Sequence, residues 1–142
     1  MAMNVTDVGA DNMLKAYFNN DWPTAGNNLT LDLYTNNYTP LQTSANANFT
    51  VAAGVGYAQK TLDHGNWTVT AGNDPSDAVY AQQTFTFTGN LTANATIYGY
   101  YVKDEDDSVI WAEKFGTSFT PANNGDNVKV TPIIQLSSGT PA

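Results

Sequence analysis

The chain has 142 residues and a formal net charge of -8, from 13 acids against five bases, with only 13% of residues charged. Zero Cys and a single His, His64, exclude a disulfide framework, thiolate-bound zinc, an iron–sulfur cluster, a cysteine nucleophile and a multi-histidine metal centre within one chain. So few bases argue against nucleic acid and against an anionic membrane surface as partners, because both are held by clustered positive charge.

Asn and Thr replace the missing charges, with 17 Asn and 19 Thr. Thr favours half-buried strands and Asn favours turns. Aromatic residues make up 12% of the chain, eight of them Tyr, which separates it from disordered sequences. Its length suits one domain.

Residues 1–10, small and polar around Val5 and Val8, are expected to form an N-terminal arm. They contain no basic or apolar stretch of the kind that opens a signal peptide, so synthesis in a cytosol is expected. Asp11 to Phe18 is the single helical candidate, with Asp11 as its cap and Met13, Leu14, Tyr17 and Phe18 on one face. Leu29 to Thr35 alternates cleanly, which puts Leu29, Leu31 and Leu33 inward and Thr30 and Asp32 outward. A turn at 36–40 and a loop at 41–48 follow. Phe49–Val55 and Tyr57–Leu62 are strand-like pieces broken at Gly54 and Gly56. Residues 63–66 are a turn, Trp67–Thr70 a short strand, and residues 72–77 a surface loop.

Tyr80–Thr88 alternates again, with Phe85 and Phe87 on one face. Ala95–Val102 and Val109–Phe115, joined by an acidic tip, form the clearest hairpin in the chain. After a turn at 121–126, residues 127–136 place Val128, Val130, Ile134 and Leu136 on one face, with Pro132 marking a strand end or an edge. Seven or eight strands at this spacing predict an all-β fold: an antiparallel β-sandwich or jelly-roll-like small barrel with at most one short N-terminal helix. Domain organisation reads as the arm 1–10, a single β domain 11–136 and a tail 137–142.

No motif in the chain assembles catalytic chemistry. Asp104-Glu105-Asp106-Asp107-Ser108 begins like a calcium loop, but Val109 stands where a Gly is needed and Phe115 where a bidentate Glu is needed. A solvated hairpin tip is the better reading. His64 sits beside Asp63 in a turn, with no Gly-x-Ser-x-Gly elbow anywhere in the chain. Glu113 lies beside Lys114 on a strand, which suits a surface position better than a glycosidase pair. Gly54-Val55-Gly56 lacks the helix and the Lys of a phosphate cradle. No catalytic residue, metal ligand or cofactor is expected.

The aromatic residues of the hairpin carry more information. In Ile97-Tyr98-Gly99-Tyr100-Tyr101-Val102, strict alternation puts Tyr98, Tyr100 and Val102 on one face and Ile97, Gly99 and Tyr101 on the other. Both faces are then apolar or amphipathic, although an antiparallel sandwich strand usually keeps one face wet. Either a loop of the same chain covers the second face or a partner subunit does. Amphipathic aromatics with few charges are typical of interface cores. Val5, Val8, Trp22, Tyr98, Tyr100, Tyr101 and Trp111 are the candidate interface residues.

Ile97 to Val102, the acidic tip, Val109 to Phe115 and Asn123 to Pro132 together resemble small β-rich virion structural proteins of tailed bacteriophages. Leu31 to Asn36 and Gly56 to Ala58 are similar to the same group. The likeness spans about residues 29–136 and brings no catalytic residue with it. It implies a capsid decoration (cement) protein located in the virion. Such a protein is made in the host cytoplasm, is expected to form a homotrimer, and binds the major capsid protein on the outer surface of the head. The alternative is a tail-fibre or receptor/carbohydrate-binding module of the virion. Neither reading includes nucleic acid or a membrane.

Overall fold

In the computed structural model, which describes residues 4–9, 28–70 and 76–136, the period-2 apolar segments become strands. β1 (Asn4–Val5), β2 (Leu29–Tyr34), β3 (Lys60–Leu62), β4 (Thr68–Thr70), β5 (Ser76–Val79), β6 (Gln83–Thr86), β7 (Ile97–Lys103), β8 (Val109–Phe119), β9 (Asn127–Val130) and β10 (Ile133–Leu136) follow in chain order. Every strand pairing is antiparallel. Two 3-10 turns, Asn46–Asn48 and Thr92–Asn94, interrupt the loops, and residues 7–9 are helical. The expected helix at 11–18, Trp22 and the expected tail at 137–142 lie outside the described residues.

The strands form a five-stranded sheet ordered β1-β8-β7-β2-β3, a three-stranded sheet ordered β10-β5-β4, and a β6-β9 pair. One core joins them. The large sheet contributes Leu31, Leu33, Tyr100, Val102 and Trp111, and the opposing side contributes Tyr80, Phe85, Phe87, Leu91 and Val130. Leu31, Leu33, Phe87, Val102 and Trp111 have no exposed surface. The protein is an all-β, sandwich-like fold.

The large sheet is covered on both faces. On the side away from the main core, Tyr34, Phe49, Tyr101, Val109 and Ala112 make a second buried cluster, with Tyr38 and Tyr98 against it. Phe49 comes from the loop after β2 and plugs this layer. It stacks on Tyr101 at 4.6 Å between ring centroids and meets Tyr34 and Tyr38 edge-on at 5.1 and 5.3 Å. Of the two possible covers for the second face, a loop of the same chain provides this one.

Several local expectations are corrected. A bulge shifts the β7–β8 register between Ile97, opposite Phe119, and Gly99, opposite Lys114. Ile97 and Tyr100 therefore both reach the main core, while Tyr98 joins Tyr101 on the other face. Tyr98 and Tyr100 do not share a face, because regular period-2 pairing is interrupted at Tyr98, where the register shifts. A second shift, between Val102 and Lys103, sends both Ile110 and Trp111 into the main core.

Residues 49–55 form no continuous strand. Their backbone pairs with β2 and Leu91 only as isolated bridges at Val51 and Gly54. Residues 76 and 77, expected as the end of a surface loop, open β5 because β4 and β10 pair with both edges of that strand. Such two-sided pairing overrides the weak strand preference of Ser and Asp.

Asp32 was expected to face solvent and is instead 2% exposed. β3 pairs with β2 only as far as Leu31, which leaves the Leu33 amide without a strand partner. The Tyr57 hydroxyl accepts that amide at 3.0 Å and donates to Asp32 Oδ1 at 2.7 Å. The acidic tip is not uniformly solvated either. Asp104 is 4% exposed, and its Oδ1 accepts from the amides of Asp106 and Ser108 at 3.0 and 2.9 Å. A carboxylate that satisfies its own turn is stable when buried.

Candidate interaction surface

The expected contact elements were the N-terminal arm and the aromatic hairpin, and the fold brings them together. Asn4 and Val5 pair with Ala112 and Trp111 as an edge strand on β8. The next amide, of Thr6, continues the ladder to the Ile110 carbonyl at 3.1 Å. Thr6 is buried. Its hydroxyl donates to the Val109 carbonyl and accepts from the Gly9 amide at 2.9 Å. Asp7 then donates its amide to the Gln42 carbonyl at 2.9 Å, which fastens the arm to the covering loop.

Where the arm, the loop and the hairpin tip converge, an open cleft of about 430 Å³ is lined by Asp7 and Val8, residues 42–46 and residues 107–109. Buried Ser44 and Val109 lie among the exposed lining residues. The Ser44 hydroxyl is held by Tyr38 Oη at 2.9 Å and by the Leu41 amide at 2.8 Å. Val8 is 50% exposed and Leu41 56%. The cleft thus combines amide, hydroxyl and carboxylate groups with nearby exposed aliphatics.

Lysine reaches the hairpin tip from below. Lys103 Nζ contacts Asp107 Oδ1 at 2.6 Å and stands 4.0 Å from Asp32 Oδ2. Burial pushes the Asp32 carboxyl above its ordinary range, although the Tyr57 hydrogen bond and Lys103 pull it down. The Tyr57 phenol is pushed up, first by burial and then by negative Asp32. This group is a strut that holds β2 and β7 together.

Six of the seven residues expected at an interface are described, and they fall into three groups. Val5 and Val8 lie on the arm, and Val8 lines the cleft. Tyr98 is half-buried against the second cluster. Tyr100, Tyr101 and Trp111 are 4%, 2% and 0% exposed, so their side chains are spent on the protein's own two cores. Trp22 lies outside the described residues. Asp7 and residues 42–46 were missed. Short polar residues in a loop carry no periodic signal, and only the covering fold of that loop places them beside the arm.

His64 is exposed in its turn, and its amide donates to Asn28 Oδ1 at 3.0 Å. Glu113 Oε2 accepts from the Tyr100 hydroxyl across the hairpin at 2.9 Å. Among the described residues no group of three or more His, Asp or Glu is arranged to hold a metal ion, and no helix is long and apolar enough to cross a membrane. No protein-family model, curated protein or solved structure matches this chain.

Proposed function

We propose that this protein is a structural protein of a tailed-phage virion, a capsid decoration (cement) protein that binds the major capsid protein on the outside of the head and stabilises it. The observation that supports this reading best is the meeting of the N-terminal arm, the covering loop and the hairpin tip at one open cleft, set on a sheet buried on both faces. A rigid platform of this kind loses little conformational freedom on binding, so more of the contact energy appears as affinity. A protein that binds only the assembled shell stabilises it by mass action. The chain's net charge of -8 would keep coated particles mutually repelling.

The second reading, a tail-fibre or carbohydrate-binding module, draws on exposed aromatic platforms. The burial of Trp111, Tyr100 and Tyr101 removes those residues from such a role.

The test is electron microscopy of purified tailed-phage particles incubated with labelled protein. Label on heads, lost when Val8→Asp is introduced at the cleft, is the expected result. Label on tails or fibres, or binding to glycans without binding to heads, would overturn the proposal.

A further inference from the structure

Residues 121–126 lie between β8 and β9 and hold the only Asn-Gly pair in the chain, Asn124-Gly125. Asp126 donates its amide to the Asn123 carbonyl at 3.2 Å, which makes Asn124 and Gly125 the two central residues of a turn. Gly125 has a φ of 96°, a left-handed backbone that glycine adopts without strain. Both residues are exposed, and a Cβ at Gly125 would meet nothing within 4 Å. Water reaches the Asn124 side chain, and no side chain crowds the peptide nitrogen that follows it.

That nitrogen also closes the turn on the core. Gly125 donates its amide to the Phe87 carbonyl at 2.9 Å, and Phe87 donates its own amide to the Asp126 carbonyl at 2.8 Å. The two bonds tie the turn to a side chain with no exposed surface. Asp126 Oδ2 braces the turn, accepting from the Ala122 and Asn123 amides at 2.9 Å each.

We propose that Asn124 is a self-modification site, converted through a cyclic imide to aspartate or isoaspartate, and that the hydrogen bond from Gly125 to Phe87 gates the reaction. In the first step a bond forms between Gly125 N and Asn124 Cγ. The Cγ–Nδ2 bond breaks, and Nδ2 leaves as ammonia with the Gly125 proton. Water then adds to one of the two imide carbonyls. Breaking the new N–Cγ bond gives aspartate, and breaking the original peptide bond gives isoaspartate, with the main chain running through Cγ. The attacking nitrogen must shed the proton that it shares with Phe87, so the turn has to open before the ring can close. Only the locally opened fraction of the folded protein reacts. Either product adds a negative charge two residues from Asp126, on a chain already at -8. Isoaspartate also lengthens the backbone by one carbon, which displaces the Gly125 amide from the Phe87 carbonyl and leaves the turn loosened. The chemistry is intramolecular apart from water, so it is independent of any virion partner.

The experiment is incubation of the full chain at mildly alkaline pH, folded and in urea. Peptide mass spectrometry locates the replacement of ammonia by water, and an isoaspartate methyltransferase assay identifies the rearranged product. Conversion is expected to be fastest at Asn124 among the 17 Asn. It should be at least about tenfold slower in the folded chain, where the closed turn does not react. Asn124→Gln, whose longer side chain disfavours ring closure, should abolish conversion at this position. Asp126→Ala removes the brace and should raise the folded rate severalfold; the urea comparison decides the matter if that variant fails to fold. Equal rates in the folded and unfolded chains, faster conversion at another Asn, or a folded Asp126→Ala chain that converts no faster than the native one would overturn the proposal.

Discussion

The Tyr57 hydroxyl binds two groups at once: it accepts the Leu33 amide at 3.0 Å and donates to Asp32 Oδ1 at 2.7 Å. One phenol thereby closes the ladder of β2 beyond the end of β3 and satisfies a carboxylate that is almost fully buried. Replacing it with Tyr57→Phe keeps the ring that stacks on Phe85 at 5.9 Å and leaves both polar partners unmet. A buried polar group left unpaired costs about 1–3 kcal/mol. The expected loss of stability lies in that range, measured by urea unfolding. An unchanged midpoint would contradict the role assigned to the hydroxyl.

Asp32 also predicts a pH dependence. Burial raises its carboxyl above the ordinary value of 3.8, the Tyr57 bond and Lys103 lower it, and Asp107 raises it again; the Tyr101 phenol faces it from β7. The net direction is upward, so the folded state holds this proton more tightly than the unfolded state does. The protonated group therefore contributes stability in full below about pH 3.8, and that contribution is lost as pH rises through the folded value. Each tenfold of extra proton affinity is worth about 1.4 kcal/mol. Urea unfolding between pH 3 and pH 7 should show the native protein gaining on Asp32→Asn as pH falls. A flat difference would show that the folded carboxyl titrates at its ordinary value.

Gly99 stands opposite Tyr34 on β2, and a Cβ there would lie 2.6 Å from the Tyr34 hydroxyl oxygen, 2.7 Å from its ring, and against the Glu113 carbonyl. The tyrosine ring fills the space that the missing side chain leaves. Gly99→Ala should cost at least about 1–3 kcal/mol, the usual range for overpacking, because one of the clashing partners is backbone. Gly116, in β8, has nothing within 4 Å of its would-be Cβ. Gly116→Ala is the control, expected to be neutral or stabilising by up to about 1 kcal/mol. Thermal unfolding of the two variants should separate them clearly.

Thr6 anchors the arm through its hydroxyl, which bonds the Val109 carbonyl and the Gly9 amide. Thr6→Val keeps the shape and removes both bonds. A loss of about 1–3 kcal/mol is expected, and hydrogen exchange should show the Thr6 and Asp7 amides losing protection before the β2 and β7 amides do. Simultaneous loss across the whole sheet would mean that the arm is no separate unit.

The sequence by itself determined the fold class and the strands that bury one clean face. Leu31 and Leu33 on β2, Phe85 and Phe87 around β6, and the β7–β8 hairpin are all legible, because period-2 alternation follows directly from strand geometry. It also determined that the Tyr-rich hairpin has two covered faces. Only the tertiary structure decided what covers the second face, which face Tyr98 takes at the register shift, and which polar residues go inside. Asp32 looked outward because alternation does not register a Tyr57 hydroxyl arriving from 25 positions away. Tyr100, Tyr101 and Trp111 looked like contact residues because composition alone does not distinguish an aromatic that fills a core from one that meets a partner. The cleft at Val8 likewise depends on three segments distant along the chain, and long-range packing is the one quantity that local pattern does not encode.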